Sequence, residues 1–225
     1  MTPTVAAIVP MRHESERIPG KNYRDFAGRP LFHHIIETLL ACDAIDRVVI
    51  DTDSDIIWQQ TETHFPAVTL LERPAHLRPG TIPMNDVLLN ATAQVAAEVY
   101  LQTHCTNPLL QAATITRAVE TYRQNHPVYD TLFGVTRTQT YYWDQLARPV
   151  NHNPAVLSRT QDLPPFYREN SNLYIFTRGT LVRRHNRIGD RPYLFEIDRY
   201  EAYDIDEETD FLVAEFLYRQ RTGNL

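Results

Sequence analysis

The sequence predicts an α/β fold, a mainly parallel sheet with flanking helices, and three observations carry that prediction. Short, continuous apolar runs recur along the chain. Stretches with helical periodicity separate them, and prolines or small polar residues mark the boundaries. Continuous rather than alternating apolar runs are the pattern of strands buried on both faces, as in a sheet covered by helices.

Taken in order, residues 5–9 (Val-Ala-Ala-Ile-Val) form the first such strand, with Pro10 ending it. A loop runs to Arg29. Pro30 then occupies the first turn of a helix, in which Leu31, Ile35 and Leu39, with Ile36 and Leu40, build one apolar face at i, i+4 spacing. Residues 47–51 read as a second buried strand and 53–65 as a helix capped by Thr52 or Asp53. A third strand covers 68–71. After a proline-rich loop, a helix spans 84–97, followed by a strand over 99–102, a helix over 112–125 and a strand over 131–135. This order implies right-handed crossovers. It places ligands beyond the carboxyl ends of the strands, so loops 11–29, 51–54 and 103–110 should share one rim. From 137 to 168 the alternation stops in a segment rich in Pro, Tyr, Asn and Gln; a connection of that length is usually functional. Strands over 172–176 and 191–197 and a helix over 207–219 complete the chain, read as a single domain over 1–225.

Composition bounds the function. A chain of 225 residues buries a core without disulfide or metal staples. Cys42 and Cys105 lack metal-site spacing and are expected to be reduced thiols. A net charge of −6 argues against a nucleic-acid partner while allowing a local cationic pocket. The first apolar run is too short for a signal-peptide core and no later one reaches membrane-span length, so no membrane partner and a cytoplasmic location are expected.

Two segments carry candidate chemistry. The loop after the first strand, Pro10-Met11-Arg12-His13-Glu14-Ser15-Glu16-Arg17-Ile18-Pro19-Gly20-Lys21-Asn22, supplies Arg12, Arg17 and Lys21. Fixed cations of this kind suit a polyphosphate, with Gly20 allowing close backbone approach. The alternative is a solvated basic loop offset by Glu14 and Glu16. Neither a Walker loop nor a dinucleotide glycine pattern is present. Near the end, Asp204 and Asp206 flank Ile205. In extended backbone they point the same way and can offer two oxygens to Mg²⁺; the alternative makes Asp206 the cap of the last helix.

Other candidates are weaker. His33 and Glu37 share a helix face but have no further ligand, which favours ordinary helix surface. Cys105 beside His104 lacks a third orienting group. Tyr141, Tyr142, Trp143, Phe166 and Tyr167 suit packing or an interface. Asn170 and Asn172 could bind sugar hydroxyls or shape a turn.

Arg12, Ser15, Pro19, Lys21 and Asn22 resemble the R-x-x-S-x-x-[IL]-P-x-K-N signature of acylneuraminate cytidylyltransferases, the CMP-sialic acid synthetases. In the same order, Gly28-Arg29-Pro30-Leu31, Arg47-Val48-Val49-Ile50-Asp51-Thr52-Asp53, Arg73-Pro74 with Leu77, Leu101-Gln102 with Thr106-Asn107-Pro108-Leu109, Asn170 with Leu173-Tyr174, and Asp204-Ile205-Asp206 resemble further family segments, so the likeness covers nearly the whole chain. The loop departs from the pattern: Glu16-Arg17 replaces the family's Lys-Gly, and Arg17-Ile18-Pro19-Gly20-Lys21 resembles KDO cytidylyltransferases instead. Asn22 replaces the proline usual in those enzymes, and their Q-G-D-E-P-L motif is absent.

The resemblance implies a Rossmann-like fold of the nucleotide-diphospho-sugar transferase type plus a dimerisation insertion, here residues 137–170. It implies transfer of CMP from CTP to the anomeric hydroxyl of an acidic 2-keto sugar of sialic, legionaminic or pseudaminic type, with KDO as the runner-up. It implies catalytic roles for Arg12, Lys21, Asp204 and Asp206, with the two aspartates holding Mg²⁺. Arg12, Arg17, Lys21, Asn22 and Arg73 would bind CTP. Gln102, His104, Arg168 and Asn170 would lie near the sugar, and the enzyme would be a homodimer. The competing classes are a sugar-nucleotide-binding protein without activity and a glycosyltransferase with a DxD-like metal motif.

Overall fold

The apolar runs become strands whose successive side chains enter two different cores. In the computed structural model, which describes residues 3–223, β1 (Val5–Met11) is buried along its whole length. Val5, Ala7, Val9 and Met11 pack on one side of the sheet, and Ala6 and Ile8 on the other. A hairpin of two-residue strands, β2 (Asp25–Phe26) and β3 (Arg29–Pro30), leads into α1 (Leu31–Leu40). Then come β4 (Arg47–Thr52), α2 (Asp55–His64), β5 (Thr69–Glu72), α3 (Met84–Gln94), β6 (Val99–Thr103) and α4 (Ala112–Asn125). The chain ends with β7 (Thr131–Thr138), β8 (Phe166–Phe176), α5 (Arg178–Arg184), β9 (Pro192–Glu196) and α6 (Glu208–Thr222). Helices α1 and α4 supply the first core with Ile35, Leu39, Ile115 and Val119, and α3 and α5 supply the second with Leu88, Ala91 and Leu181. Among the described residues no helix is long and apolar enough to cross a membrane.

The seven-stranded sheet runs β5-β4-β1-β6-β8-β7-β9. Strands β5, β4, β1 and β6 are parallel, as expected, and β7 and β9 are parallel to each other. The expected direct succession from β6 to β7 fails, because β8 inserts between them and is antiparallel to both. Pro10 does not end β1 either. It stays in register with Asp51 of β4, while pairing with β6 stops at Ile8, so the missing N–H is tolerated where one flank is open.

The segment read as irregular from 137 is partly a ribbon. Val135 to Thr138 pair with Glu169 back to Phe166, after a register shift beyond Phe133. Residues 166–169 are all exposed, so no buried periodicity marks them in the sequence. Residues 139–165 form the connection, which leaves Trp143, Leu146, Val150 and Leu157 in solvent.

Local chemistry corrects several boundaries. Ser54, not Thr52 or Asp53, caps α2, accepting from Ile57 N–H at 3.4 Å. Helix α3 stops early because the Tyr100 hydroxyl donates to the Val95 carbonyl at 2.6 Å. Glu207, not Asp206, caps α6, in a reciprocal box with Asp210. The apolar stripe of α6 is narrower than its sequence suggests: Phe211 and Ala214 are buried, whereas Leu212 and Phe216 are exposed.

His33 and His34 are not helix surface. Both are buried, because the β2–β3 hairpin, α2 and α6 cover that side of α1; His34 bonds the Phe26 carbonyl at 2.8 Å, while His33 packs against His64 and Phe65. Burial, reinforced by the neighbouring His64, pushes the His33 pKa down from 6.5 to about 4. The unfolded chain therefore takes up the proton first. The stabilisation by neutral His33 is complete above pH 6.5 and is lost as the pH falls from there toward 4. Between about pH 7 and pH 5 this amounts to about 2 kcal/mol. In urea titrations at both pH values, His33→Phe should lose less stability on acidification than the wild type; equal losses would remove His33 from the account.

Candidate active site

The site is assembled where the carboxyl ends of β1, β4 and β6 deliver their loops to one rim. The first loop closes on a short turn over Lys21–Tyr23. Gly20 makes that turn possible, with φ of +67° and a Tyr23 ring carbon only 2.8 Å from where a Cβ would lie. Ile18 anchors the loop by packing with Phe26, Leu31, Phe211 and Ile205. The same small core thus holds the loop, α6 and the residue between the two aspartates.

Lys21 and Asn22 are buried as a result. The Lys21 ammonium donates to the Ile205 carbonyl at 2.6 Å, directly between Asp204 and Asp206 in sequence. Asn22 donates to the Arg12 carbonyl at 2.8 Å and accepts from the Cys105 thiol at 3.1 Å, tying the loop to β1 and to the residues after β6. Arg12 stays partly exposed, with the Glu16 carboxylate 4.0 Å from its guanidinium. Arg17 lies on the Asp206 carboxylate at 2.5 Å.

A cavity of about 370 Å³ collects Arg12, Arg17, Lys21, Asn22, Arg73 and His104. A second, of about 520 Å³, collects Arg168, Asn170, Asp204 and Asp206. The predicted residues other than the buried Gln102 therefore divide into a cationic cleft and an acidic one, joined through the Lys21–Ile205 and Arg17–Asp206 contacts. Loop 51–54 meets this rim at its outer edge, where Asp53 accepts from His13 N–H at 2.8 Å.

Arg73 is almost wholly enclosed and pairs with the equally buried Asp51 at 2.5 Å. Burial raises the Asp51 carboxyl above its ordinary pKa, and Arg73 opposes that rise. Gln102, at the end of β6, is fixed in orientation by two neighbours: its oxygen accepts from Arg187, and its nitrogen contacts His104 Nε2 at 2.9 Å. With Gln102 donating, His104 Nε2 accepts and the ring proton lies on Nδ1. Burial, with Arg187 and Lys21 adding to it, pushes the His104 pKa down to about 3, so the ring is neutral near pH 7. Burial pushes the Cys105 thiol up to about 12, which removes it as a nucleophile.

On the acidic side, Asp204 Oδ1 is enclosed and has no hydrogen-bond partner. Burial raises the Asp204 carboxyl pKa; Thr106 works against the rise, Asp206 adds to it, and Lys21 opposes it. A free, enclosed carboxylate oxygen beside a second carboxylate fits a hard divalent cation. Among the described residues no group of three or more His, Cys, Asp or Glu is gathered, so such an ion would complete its shell with water and substrate oxygens, as Mg²⁺ does. Asn170 is spent on local geometry, accepting from Asn172 N–H around the left-handed Ser171 and donating to Thr136. Asn172 donates to the Glu201 carbonyl, but its oxygen has no partner. Arg168 lies exposed on the β7–β8 ribbon.

Sequence reasoning missed Arg187 and Glu169, and it gave Tyr174 no role. Arg187 stacks on the Tyr174 ring at 3.5 Å, and the Tyr174 hydroxyl donates to Glu169. Arg187 meets Gln102 across 85 residues, and no local spacing signals that contact.

The chain is similar to known proteins along most of its length. The family model described as Cytidylyltransferase matches residues 6–221. N-acylneuraminate cytidylyltransferase A of Danio rerio is 25% identical over 218 residues, covering 94% of this chain and 50% of the relative; the chain thus spans about half the length of that protein. Pseudaminic acid cytidylyltransferase of Campylobacter jejuni is 28% identical, with 94% and 95% covered. Among solved structures, CMP:2-keto-3-deoxy-manno-octonic acid synthetase complexed with CTP shares the fold, at a TM-score of 0.73 and 14% identity over 97% of this chain and 99% of that one.

The Arg73–Asp51 pair bears on stability as well as on the cleft. Removing one partner of a buried ion pair typically costs about 3–5 kcal/mol. Arg73→Ala should lose stability on that scale in urea denaturation, whereas Arg12→Ala, at a half-exposed site, should stay close to wild type. Similar stabilities for the two variants would show that the pair is not structural.

Proposed function

The chain belongs to the cytidylyltransferase family, and from that premise we propose that it transfers CMP from CTP to the anomeric hydroxyl of an acidic 2-keto sugar, releasing pyrophosphate. One observation carries the reading: Lys21 donates to the backbone between Asp204 and Asp206, which holds a phosphate-type cation loop against a pair of carboxylates. Nucleotidyl transfer needs these two elements together, because its catalysis is mainly positioning and charge stabilisation.

In this reading Arg12 and Lys21 bind the phosphates, and Arg17 joins them by leaving Asp206. Asn22 and Arg73 border the cytidine. Gln102, His104, Arg168 and Asn170 belong to the acceptor side, where Asn170 shapes the wall. Asp204 and Asp206 would hold Mg²⁺, which when bound neutralises charge developing on the phosphates and lowers the pKa of a bound hydroxyl. Neutral His104 serves as a hydrogen-bonding wall.

For the acceptor we propose a nine-carbon acylneuraminate-type acid: sialic, legionaminic or pseudaminic. KDO is the second reading, favoured by the Arg17-Ile18-Pro19-Gly20-Lys21 loop. The protein is proposed to work in the cytoplasm without nucleic-acid or membrane partners. A pyrophosphate-release screen crossing four nucleoside triphosphates with N-acetylneuraminic, pseudaminic and 3-deoxy-manno-octulosonic acids tests the reaction. CTP- and Mg²⁺-dependent release with one of these acids is expected. No release with any of them would reject the reading in favour of a binding protein.

Asp206→Asn keeps the fold, since Glu207 rather than Asp206 caps α6. Its turnover should fall on the order of 10²–10³-fold at saturating Mg²⁺. Steady-state kinetics showing wild-type turnover would sink the metal role.

We also propose a homodimer formed through residues 137–170. Trp143, Leu146, Val150 and Leu157 of this segment are all exposed, and exposed apolar side chains of this kind suit a two-fold interface. Light scattering at micromolar concentration should give twice the chain mass of 26.1 kDa; a mass equal to one chain rejects the dimer.

A further inference from the structure

Arg187 is a half-buried cation without a counter-ion. Its guanidinium carbon lies 3.5 Å from the Tyr174 ring centroid, and one nitrogen donates to Gln102. Among the described residues no carboxylate lies within ion-pair distance of it. Glu169 contributes attraction from further off, but the Tyr174 hydroxyl already donates to its carboxylate. Burial lowers the Arg187 pKa from its ordinary value, although a guanidinium stays charged at any working pH. Enclosing a cation without an anion is costly. A ligand anion would remove that cost.

The position indicates which ligand. Gln102 connects Arg187 to His104, which lines the cationic cleft. Tyr174 connects it to Glu169, which lines the aspartate cavity. Arg187 lines neither cleft itself but reaches a lining residue of each through one intervening side chain, on the side where an acceptor must lie if its hydroxyl is to meet a nucleotide bound beside Lys21. The backbone is fixed there as well: Arg187 N–H donates to Asn85 Oδ1 of α3 at 3.2 Å. The first loop already supplies the phosphates with Arg12 and Lys21. With one face of the guanidinium on Tyr174 and one nitrogen on Gln102, its remaining N–H edge suits a flat, two-oxygen anion, and bidentate pairing with carboxylate is the characteristic use of arginine.

We propose that Arg187 is the residue that receives the acceptor sugar's carboxylate, with Gln102 and Tyr174 holding its guanidinium in place. This assignment rests on the cytidylyltransferase reading. Arg168, the other arginine on the acceptor side, is exposed on the ribbon and is not given this role.

The test compares the acid that supports pyrophosphate release in the screen with the methyl ester of that same acid. Wild type should prefer the acid. Arg187→Gln should reduce that preference in kcat/KM by about 30-fold or more, the scale on which an enclosed charge pair acts. The loss should lie in the acceptor, leaving KM for CTP and the melting temperature close to wild type. Arg187→Lys, which keeps the charge but loses the fork, should raise KM for the acid while leaving that for the ester close to wild type, so that the preference falls less than in Arg187→Gln. If Arg187→Gln is unstable, Arg187→Lys decides: equal losses toward acid and ester would make the residue structural and overturn the assignment. An intact acid preference in Arg187→Gln overturns it as well, as does a collapse of that preference in Arg168→Gln alone. A raised KM for CTP with an unchanged acid preference would move Arg187 to the phosphates and also overturn it. If the wild type releases no pyrophosphate with any acid, the functional reading fails first, and that result is distinct from each of these.

Discussion

Everything at the rim depends on one buried hydrogen bond, from the Lys21 ammonium to the Ile205 carbonyl. A lysine at 8% exposure needs its charge satisfied, and the carbonyl does this without neutralising it. Beneath it, Ile18 and Ile205 share a core with Phe211. Hydrophobic burial thus brings two segments 184 residues apart into register, and the polar contact sets the distance between the cations and the carboxylates. Without the apolar anchor the loop would be a solvated basic segment, which is the alternative that its composition allows.

The residues around this contact divide between structural and ligand-facing work. Asp51 holds Arg73, Asn22 holds Cys105 and the β1 terminus, and Glu207 with Asp210 closes α6. Because these groups meet the structural needs, Asp204 keeps an oxygen with no partner and Asp206 keeps only an exposed arginine. The site residues are free for ligands because their neighbours do the capping and pairing.

Much of this was legible in the sequence where the signal is local. Strands β1, β4, β5 and β6 follow from continuous apolar runs, within a residue or two at the ends, and helices α1 and α4 follow from their apolar spacing. The first loop and the Asp204–Asp206 pair were visible as clustered residue types and as family-like motifs. The β8 half of the β7–β8 ribbon was not legible, because residues 166–169 are all exposed and no buried periodicity marks them. Helix α5 was missed because Arg178–Arg184 is short and basic, with only Thr180 and Leu181 buried. The burial of His33 and His34 was missed because the elements that cover them come from other parts of the chain.

By itself, then, the sequence determined the strand-forming runs, the helix faces, the cationic loop and the paired aspartates, since each depends on residues close together in the chain. Only the tertiary structure decided which alternatives were realised. It moved the cap of α6 to Glu207 and turned the Asp206 carboxylate to Arg17. It inserted β8 between β6 and β7, which brings Tyr174 and Glu169 beside the end of β6. It stacked Arg187 on Tyr174, against Gln102. For the sheet order and the Arg187 stack the physical reason is the same: contacts between distant segments are set by which surfaces bury each other, and the strength of such a contact leaves no trace in the spacing of the residues that make it.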